Sequence, residues 1–306
     1  MQIILARTQG FCAGVARAVK IVNQALVKYG TPLYVFHEIV HNTHVIHDFE
    51  SRGAVFVNDI SAIPTGSHVI FSAHGVSPQI IEQARQRGLK SIDATCPLVK
   101  RIHQQAIGFS ERGIPVILIG NKQHQEIIGT SGYIRPELLS FIHNRKDIAH
   151  LSWDADQPVA YLTQTTLSVD DTRQMITELK RKYRRLMAPG QDNICYATQR
   201  RQDAIRELAS MVEIIIVCGS PTSSNSKRLR ETGERWGIPS YLIDDAEELD
   251  ISLLGGHENI GISSGASVPY SVVEALIQRI KNHWPDATIR HLESSQHPMV
   301  FPIPKI

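Results

Sequence analysis

What this chain has little of narrows its function before any motif is read. Net charge is nearly absent: 32 Lys plus Arg against 30 Asp plus Glu leave a formal +2. A global grip on nucleic acid is therefore not expected, and basic patches would have to be local. No run of about 18 apolar residues occurs, so no membrane-spanning helix is expected. The opening MQIILARTQGFC has no basic region leading into an apolar stretch. A secretory signal is not expected either, and the cytoplasm is the expected compartment. Only four cysteines occur in 306 residues, and none forms a C-x-x-C pair. In a reducing compartment that excludes a disulfide framework, and it excludes the thioredoxin and zinc-ribbon spacings. Neither G-x-x-x-x-G-K-[ST] nor a helix-opening G-x-G-x-x-G is present. A P-loop nucleotide triphosphatase and a dinucleotide-binding dehydrogenase are both poor fits.

What is present has a regular period. Short β-branched runs (IILA, PLYVF, AVFV, HVIFSA, PVILIG, VAYLTQ, EIIIVCG, SYLID and NIGISS) alternate with amphipathic stretches. That alternation predicts α/β architecture with parallel sheets and crossover helices. AGVARAVKIVNQALVKYG should be a helix closed by Gly30, and SPQIIEQARQRG one closed by Gly88. DDTRQMITELKRKYRRL, NSKRLRETGERWG and PYSVVEALIQRIKNHW continue the pattern. Three similar α/β domains fit the count: 1–96, 97–192 and 193–306, with the Pro-rich tail SSQHPMVFPIPKI packing back on the body. No short internal repeat is visible, so any threefold relation must be structural. The basic run KRKYRR at 180–185 is expected to be a solvated helix face, with docking of an acidic redox partner as the sharper alternative.

The four cysteines are not equivalent. Cys218 lies inside the apolar EIIIVCGS, where a thiol behaves as a small hydrophobe. Cys12, Cys96 and Cys195 each end an apolar, strand-like segment beside small or turn-forming residues, 84 and then 99 residues apart. Three cysteines in matching positions, about one per domain, point to one shared site. They suit two metals. Zinc could take Cys₃ plus His in a structural tetrahedron. An iron–sulfur cluster held by three Cys keeps one iron open to substrate, and long spacings favour this second reading.

One motif competes. His37-Glu38-Ile39-Val40-His41 spells H-E-x-x-H, followed by His44 and His47. A zinc hydrolase needs that motif on a helix, so that both imidazoles project from one face. Here it follows YVF and contains Ile39 and Val40, which favour extended chain. Other polar loops follow strand-like runs: VHN at 40–42, SAHG at 72–75, KQHQE at 122–126, TQTTLS at 163–168, GSPTSSNSKR at 219–228 and SSGAS at 263–267. In open parallel sheets ligands bind beyond the carboxyl ends of the strands, where such loops gather. Hydroxyls, imidazoles and backbone amides there suit an anion such as a phosphorylated ligand.

These segments together carry a family resemblance. GFCAGV at 10–15, HEIVHN at 37–42, IFSAHGVS at 70–77, DATCPLV at 93–99, TQTTLSVDDT at 163–172, ICYATQ at 194–199, SSNS at 223–226 and GAS at 265–267 resemble 4-hydroxy-3-methylbut-2-enyl diphosphate reductases. These act last in the non-mevalonate isoprenoid pathway. The resemblance runs over nearly the whole chain. It implies three α/β domains around a central 4Fe–4S cluster ligated by Cys12, Cys96 and Cys195, with one open iron site. It further implies that His41, His74, His124, Ser223, Ser224, Asn225 and Ser267 hold a diphosphate, and that Glu126 and Thr165 stand near the substrate hydroxyl. The implied reaction is a two-electron, two-proton reductive dehydroxylation of the allylic diphosphate, fed by an external donor such as a ferredoxin or flavodoxin. No nucleic-acid or membrane partner is implied. The pattern departs at Gly120–Glu126: Gln125 stands where the family usually has proline, while His124 and Glu126 keep their spacing. The competing reading is a zinc protein, either an HEIVH-type hydrolase or a non-redox diphosphate binder.

Overall fold

The structure, a computed structural model, describes residues 1–190, 193–293 and 299–304. In chain order the elements begin β1 (Gln2–Leu5), α1 (Ala13–Tyr29), β2 (Leu33–Phe36), α2 (Thr43–Ser51), β3 (Ala54–Val57), β4 (His68–Phe71), α3 (Pro78–Gln86) and β5 (Lys90–Asp93). Then come α4 (Pro97–Glu111), β6 (Val116–Ile119), α5 (Gln125–Ser131), β7 (Leu139–Ile142), β8 (Val159–Thr163), α6 (Val169–Lys182) and β9 (Leu186–Met187). The series closes with α7 (Tyr196–Ala209), β10 (Ile214–Cys218), α8 (Ser224–Arg235), β11 (Ser240–Ile243), β12 (Asn259–Ser264), α9 (Tyr270–His283) and β13 (Thr288–His291).

Every strand pair is parallel, and the strands form three sheets: β3-β2-β4-β5, β7-β6-β8-β9 and β11-β10-β12-β1-β13. Each has the same wiring at its heart. One strand pairs with its successor on one side and with the next strand on the other, which makes a switch point between β2 and β4, β6 and β8, and β10 and β12. The threefold relation is thus one of topology rather than of sequence.

The alternation of strand side chains accounts for the layers. Ile3, Leu5, Ile214, Ile216, Ile260 and Ile262 pack against Val273, Leu276 and Ile280 of α9. Their neighbours Ile4, Ile215 and Val217 face Ala204, Ile205 and Leu208 of α7 and Leu229 of α8. In the sheet around β6, Ile117 and Ile119 pack with Met175 and Leu179 of α6, while Val116 and Leu118 pack with Ile102 and Ala106 of α4. Gly30 and Gly88 take left-handed backbone just past α1 and α3, as their helix-closing positions require.

The backbone divides into two compact units: Met1–Ala16, Val40–Phe49 and Tyr196–Val300; and Arg17–Ile39, Glu50–Cys195 and Phe301–Ile306. The expected consecutive segment 1–96 needs a correction at its start, because β1 belongs to the sheet of the last segment. There it pairs with β12 and β13, which buries Ile3, Ile4 and Leu5 on both faces. Of the tail, residues 294–298 and 305–306 lie outside the described residues. Within the second unit the Arg17 guanidinium donates to the Pro302 carbonyl at 2.9 Å.

Two further expectations change. The run 180–185 is not wholly solvated: Lys182 Nζ donates to the carbonyls of Ile148 and Leu151, and Tyr183 is buried. Residues 125 and 126, read as the end of the polar loop 122–126, open α5, with His124 as its N-cap. Among the described residues, no helix is long and apolar enough to cross a membrane.

Candidate functional site

The second unit gathers six of the sequence-derived site residues by plain strand geometry. Because β6 and β8 are parallel neighbours, the chain leaving each at its carboxyl end adjoins the other. Asn121 N–H donates to the Gln164 side chain across that gap. Glu126, in the first turn of α5, accepts the Thr165 backbone N–H at 2.6 Å and the Thr165 hydroxyl at 2.7 Å, one on each carboxyl oxygen. Glu126 is only 3% exposed. Burial pushes its pKa up to about 7, against the opposing pull of the two Thr165 hydrogen bonds. A surface loop glutamate would show neither feature.

The contacts continue outward from that pair. His124 Nδ1 accepts the Glu126 N–H at 3.2 Å, and the His124 ring meets His74 edge-on, centroids 5.7 Å apart. The parallel pair β4 and β5 brings the loop Ser72–Gly75 to Cys96, whose N–H donates to the Ala73 carbonyl. Cys195 N–H donates to the Thr165 carbonyl. Asn193 ties this segment to β8, accepting the Thr163 N–H and donating to Gln105.

The first unit gathers the remainder. β10 and β12 are parallel neighbours, and Gly265 N–H donates to the Cys218 carbonyl at the end of β10. Ser223 caps α8, its hydroxyl accepting the Ser226 N–H, and Ser224 opens that helix. The turn is close here: a Cβ on Gly265 would stand 2.1 Å from Ser226 Oγ and force that buried hydroxyl to move. Ser267 Oγ donates to the His41 carbonyl at 2.9 Å, and Cys12 N–H donates to the Ala266 carbonyl. Asn225 is buried, and neither its amide nitrogen nor its amide oxygen has a hydrogen-bond partner among the described residues. Leaving a buried polar group unmatched costs about 1–3 kcal/mol, and this amide has hydrogen bonds left to offer.

The cysteines divide as the sequence suggested. Cys12, Cys96 and Cys195 are half-buried, and each immediately precedes an α-helix (α1, α4 and α7). Val15 N–H points at Cys12 Sγ, 3.5 Å away. The first turn of a helix has backbone N–H groups without intrahelical partners, and its positive end favours negative charge. Cys218 is the reverse case: it lies in β10, fully buried, and burial pushes its thiol up to about 12.

The HEIVH segment is not helical. It bends between β2 and α2, with His37 in left-handed backbone at φ 60°, so its two histidines lack the shared helix face that a zinc hydrolase uses. Among the described residues, no three His, Cys, Asp or Glu side chains are grouped as ligands of a single ion.

Sequence reasoning missed two buried residues, both in helices that follow a candidate cysteine. His103 of α4 is buried, and burial pushes its pKa down to about 4. It stacks on Tyr133, and a Cβ on Gly75 would come within 2.6 Å of its ring. Arg201 of α7 is the other, at 1% exposure. The available signal was their place in helices that directly follow Cys96 and Cys195.

Parallel α/β modules with polar loops at their switch points, a buried carboxyl–hydroxyl pair and three helix-preceding thiols define the class, an α/β enzyme. The LytB protein family model matches residues 3–281, and the chain belongs to that family. The 4-hydroxy-3-methylbut-2-enyl diphosphate reductase of Mannheimia succiniciproducens is 46% identical over 307 residues, covering 100% of this chain and 98% of that protein. The enzyme of the same name from Azoarcus sp. (strain BH72) is 43% identical over 304 residues, covering 99% and 97%. Among solved structures, the E-1-hydroxy-2-methyl-but-2-enyl-4-diphosphate reductase of Plasmodium falciparum superposes with a TM-score of 0.95 at 34% identity, covering 99% of this chain and 95% of that one.

Proposed function

We propose that this chain reductively dehydroxylates 4-hydroxy-3-methylbut-2-enyl diphosphate to isopentenyl and dimethylallyl diphosphates plus water, the last step of the non-mevalonate isoprenoid pathway. The balance is two electrons and two protons per turnover. One proton leaves with the hydroxyl as water, and the other ends on the allylic carbon skeleton. The observation that carries this reading is the buried Glu126–Thr165 pair, joined to the family membership of the whole chain.

Cys12, Cys96 and Cys195 are the residues that would hold one 4Fe–4S cluster. The donor set fits: three half-buried thiols that precede helices, set against one buried thiol whose burial disfavours the thiolate. When bound, such a cluster supplies electrons and one iron without a protein thiolate, open to the substrate. Every other part of the task falls to the chain. His41, His74, His124, Ser223, Ser224, Asn225 and Ser267 offer neutral or imidazole donors to the diphosphate. Thr165 orients the carboxyl group of Glu126 by two bonds. With its pKa near 7, Glu126 holds a proton in a useful fraction of molecules at neutral pH and can give it to the departing hydroxyl. Electrons come from an external one-electron carrier of the ferredoxin or flavodoxin kind. A reducing cytoplasm suits thiols that are to remain out of disulfides.

The test is anaerobic purification with iron, sulfide and zinc analysis, followed by single turnover with a chemical reductant. A brown protein with iron and sulfide that consumes the diphosphate is expected. Cys12→Ser, Cys96→Ser and Cys195→Ser should each lose most of the iron, and Cys218→Ser should keep it. A colourless zinc protein, or iron lost only in Cys218→Ser, would overturn the assignment.

A further inference from the structure

Among the described residues, the largest fully buried side chain is an arginine. Arg201 projects from α7, and its guanidinium donates to three backbone carbonyls: Gly10 at 2.6 Å, Ser264 at 2.8 Å and Thr8 at 3.1 Å. Arginine is rarely buried fully, because its charge must be matched when water is removed. Here three carbonyl dipoles converge on it. Two belong to the irregular segment that leaves β1 and ends at Cys12. The third ends β12, where the Gly265–Ser267 turn begins.

These two segments have little regular structure of their own. They are laced by Gly10 N–H to Ser264 Oγ, Cys12 N–H to the Ala266 carbonyl and the Gln9 side chain to the Ile262 carbonyl. Gly10 turns the chain in left-handed backbone at φ 68°, so the segment is bent and needs fastening. Arg201 and Cys12 also line one cavity of about 250 Å³, with Arg7, Phe11, Tyr196 and Arg200.

We infer that Arg201 is the positioning residue for Cys12: its planar fork pins the Thr8–Cys12 segment to the Ser264–Ser267 turn, and so sets where that thiol stands. A lysine could supply the charge from a single nitrogen, but not the fixed three-way fork. The inference rests on Cys12 being a cluster ligand only for its catalytic meaning, since the pinning itself is a property of the chain.

The experiment uses hydrogen exchange on the cluster-free full-length chain, with Arg201→Met and Arg201→Lys. Charge-assisted bonds of this kind hold amides closed by roughly tenfold or more each. Peptides spanning 6–13 and 262–268 should therefore exchange at least about tenfold faster in Arg201→Met, with Arg201→Lys in between. Peptides from β6, β8 and β10 should keep wild-type rates. After identical reconstitution, iron per chain should fall in the order wild type, Arg201→Lys, Arg201→Met, and the reduced cluster's spectrum should change. Faster exchange everywhere would make Arg201 an ordinary folding residue and overturn the inference. So would unchanged exchange at 6–13 in both variants. If Arg201→Met fails to fold, Arg201→Lys alone decides, because wild-type protection at 6–13 in that variant is incompatible with a three-way fork. A wild type that takes up no iron would defeat the proposed function and leave the exchange result standing.

Discussion

Two polar centres, one in each compact unit, sit at the same place in the same wiring yet are finished in opposite ways. In the second unit, the loops beyond β6 and β8 place Glu126 against Thr165, and both carboxyl oxygens are bonded within the chain. In the first, the loops beyond β10 and β12 bury Asn225 with neither amide atom bonded. A buried carboxyl group shifted to about pH 7 is tuned to hold or release a proton, and its partners must already be in place. A buried amide with no partner among the described residues has bonds to offer, and in the proposed function they go to the diphosphate. In the proposed function the same switch-point geometry thus supplies a reacting group in one unit and a receiving group in the other.

The comparison breaks most visibly at Glu126. Glu126→Gln keeps the shape and can still bond Thr165, but it cannot give up a proton. Single-turnover rates with a saturating chemical reductant should fall by about 10²- to 10⁴-fold. Cluster content and diphosphate affinity should stay at wild-type levels, and Glu126→Asp should retain more activity. A Gln variant as fast as wild type would leave Glu126 as a structural acid.

The same variant sharpens the electrostatic half of the comparison. A Glu raised from 4.5 to about 7 on folding keeps its proton in the native state while the unfolded chain releases it. Its contribution to stability is full below pH 4.5 and is lost as pH rises through 7. Relative to wild type, Glu126→Gln should therefore gain stability between those limits, on the order of 3 kcal/mol, and the difference should level off above pH 8. Denaturation midpoints of the cluster-free chains across pH 4–8 measure it. A difference that does not vary with pH would return Glu126 to the ordinary carboxylate range.

Asn225→Ala probes the receiving centre. It should weaken binding of the diphosphate by roughly 10- to 150-fold, the weight of one or two bonds to a charged group. Because the amide has no partners among the described residues, stability should fall little. Calorimetric titration and a melting curve on the same sample check both arms. Loss of stability with unchanged affinity would invert the roles assigned to the two centres.

The smallest effect is expected at Gln125, the first residue of α5. That position favours proline, and His124 before it already has the extended φ −76° and ψ 135° that proline requires of its predecessor. Gln125→Pro should stabilise the chain by about 0.4–1 kcal/mol and leave turnover unchanged. A loss of stability or rate would show that Gln125 holds Glu126 through something other than helix geometry.

Much of this molecule was legible in its residues. Both-face burial makes strands such as IIIVC and VILI continuous apolar runs, so their period and their parallel arrangement could be read directly. Cys218 separated from the other cysteines because its neighbours are Ile and Val, whereas Cys12, Cys96 and Cys195 stand beside turn-forming residues. The polar loops after strands marked where the candidate site residues stand. Other features were silent locally. β13 reads TIRH and is exposed along its length, so no apolar run marks it. α5 is seven residues long and contains a glycine, too short and too weak in propensity to distinguish from a loop.

The sequence by itself determined the alternation of strands and helices, the kinds of groups available for chemistry and the family to which the chain belongs. Each of these depends on neighbours a few residues apart or on the order of motifs along the chain. The tertiary structure decided what depends on residues far apart. β1 joins strands more than 250 positions away, because only there are both its faces covered. Glu126 meets Thr165 because β6 and β8 are neighbours in a sheet. Arg201 reads as a surface charge in a basic helix until its fork is seen on carbonyls some 190 and 60 residues distant. Burial is a property of the packed molecule, and it changes the chemistry of a carboxyl group, an amide and a guanidinium in ways that no local pattern can encode.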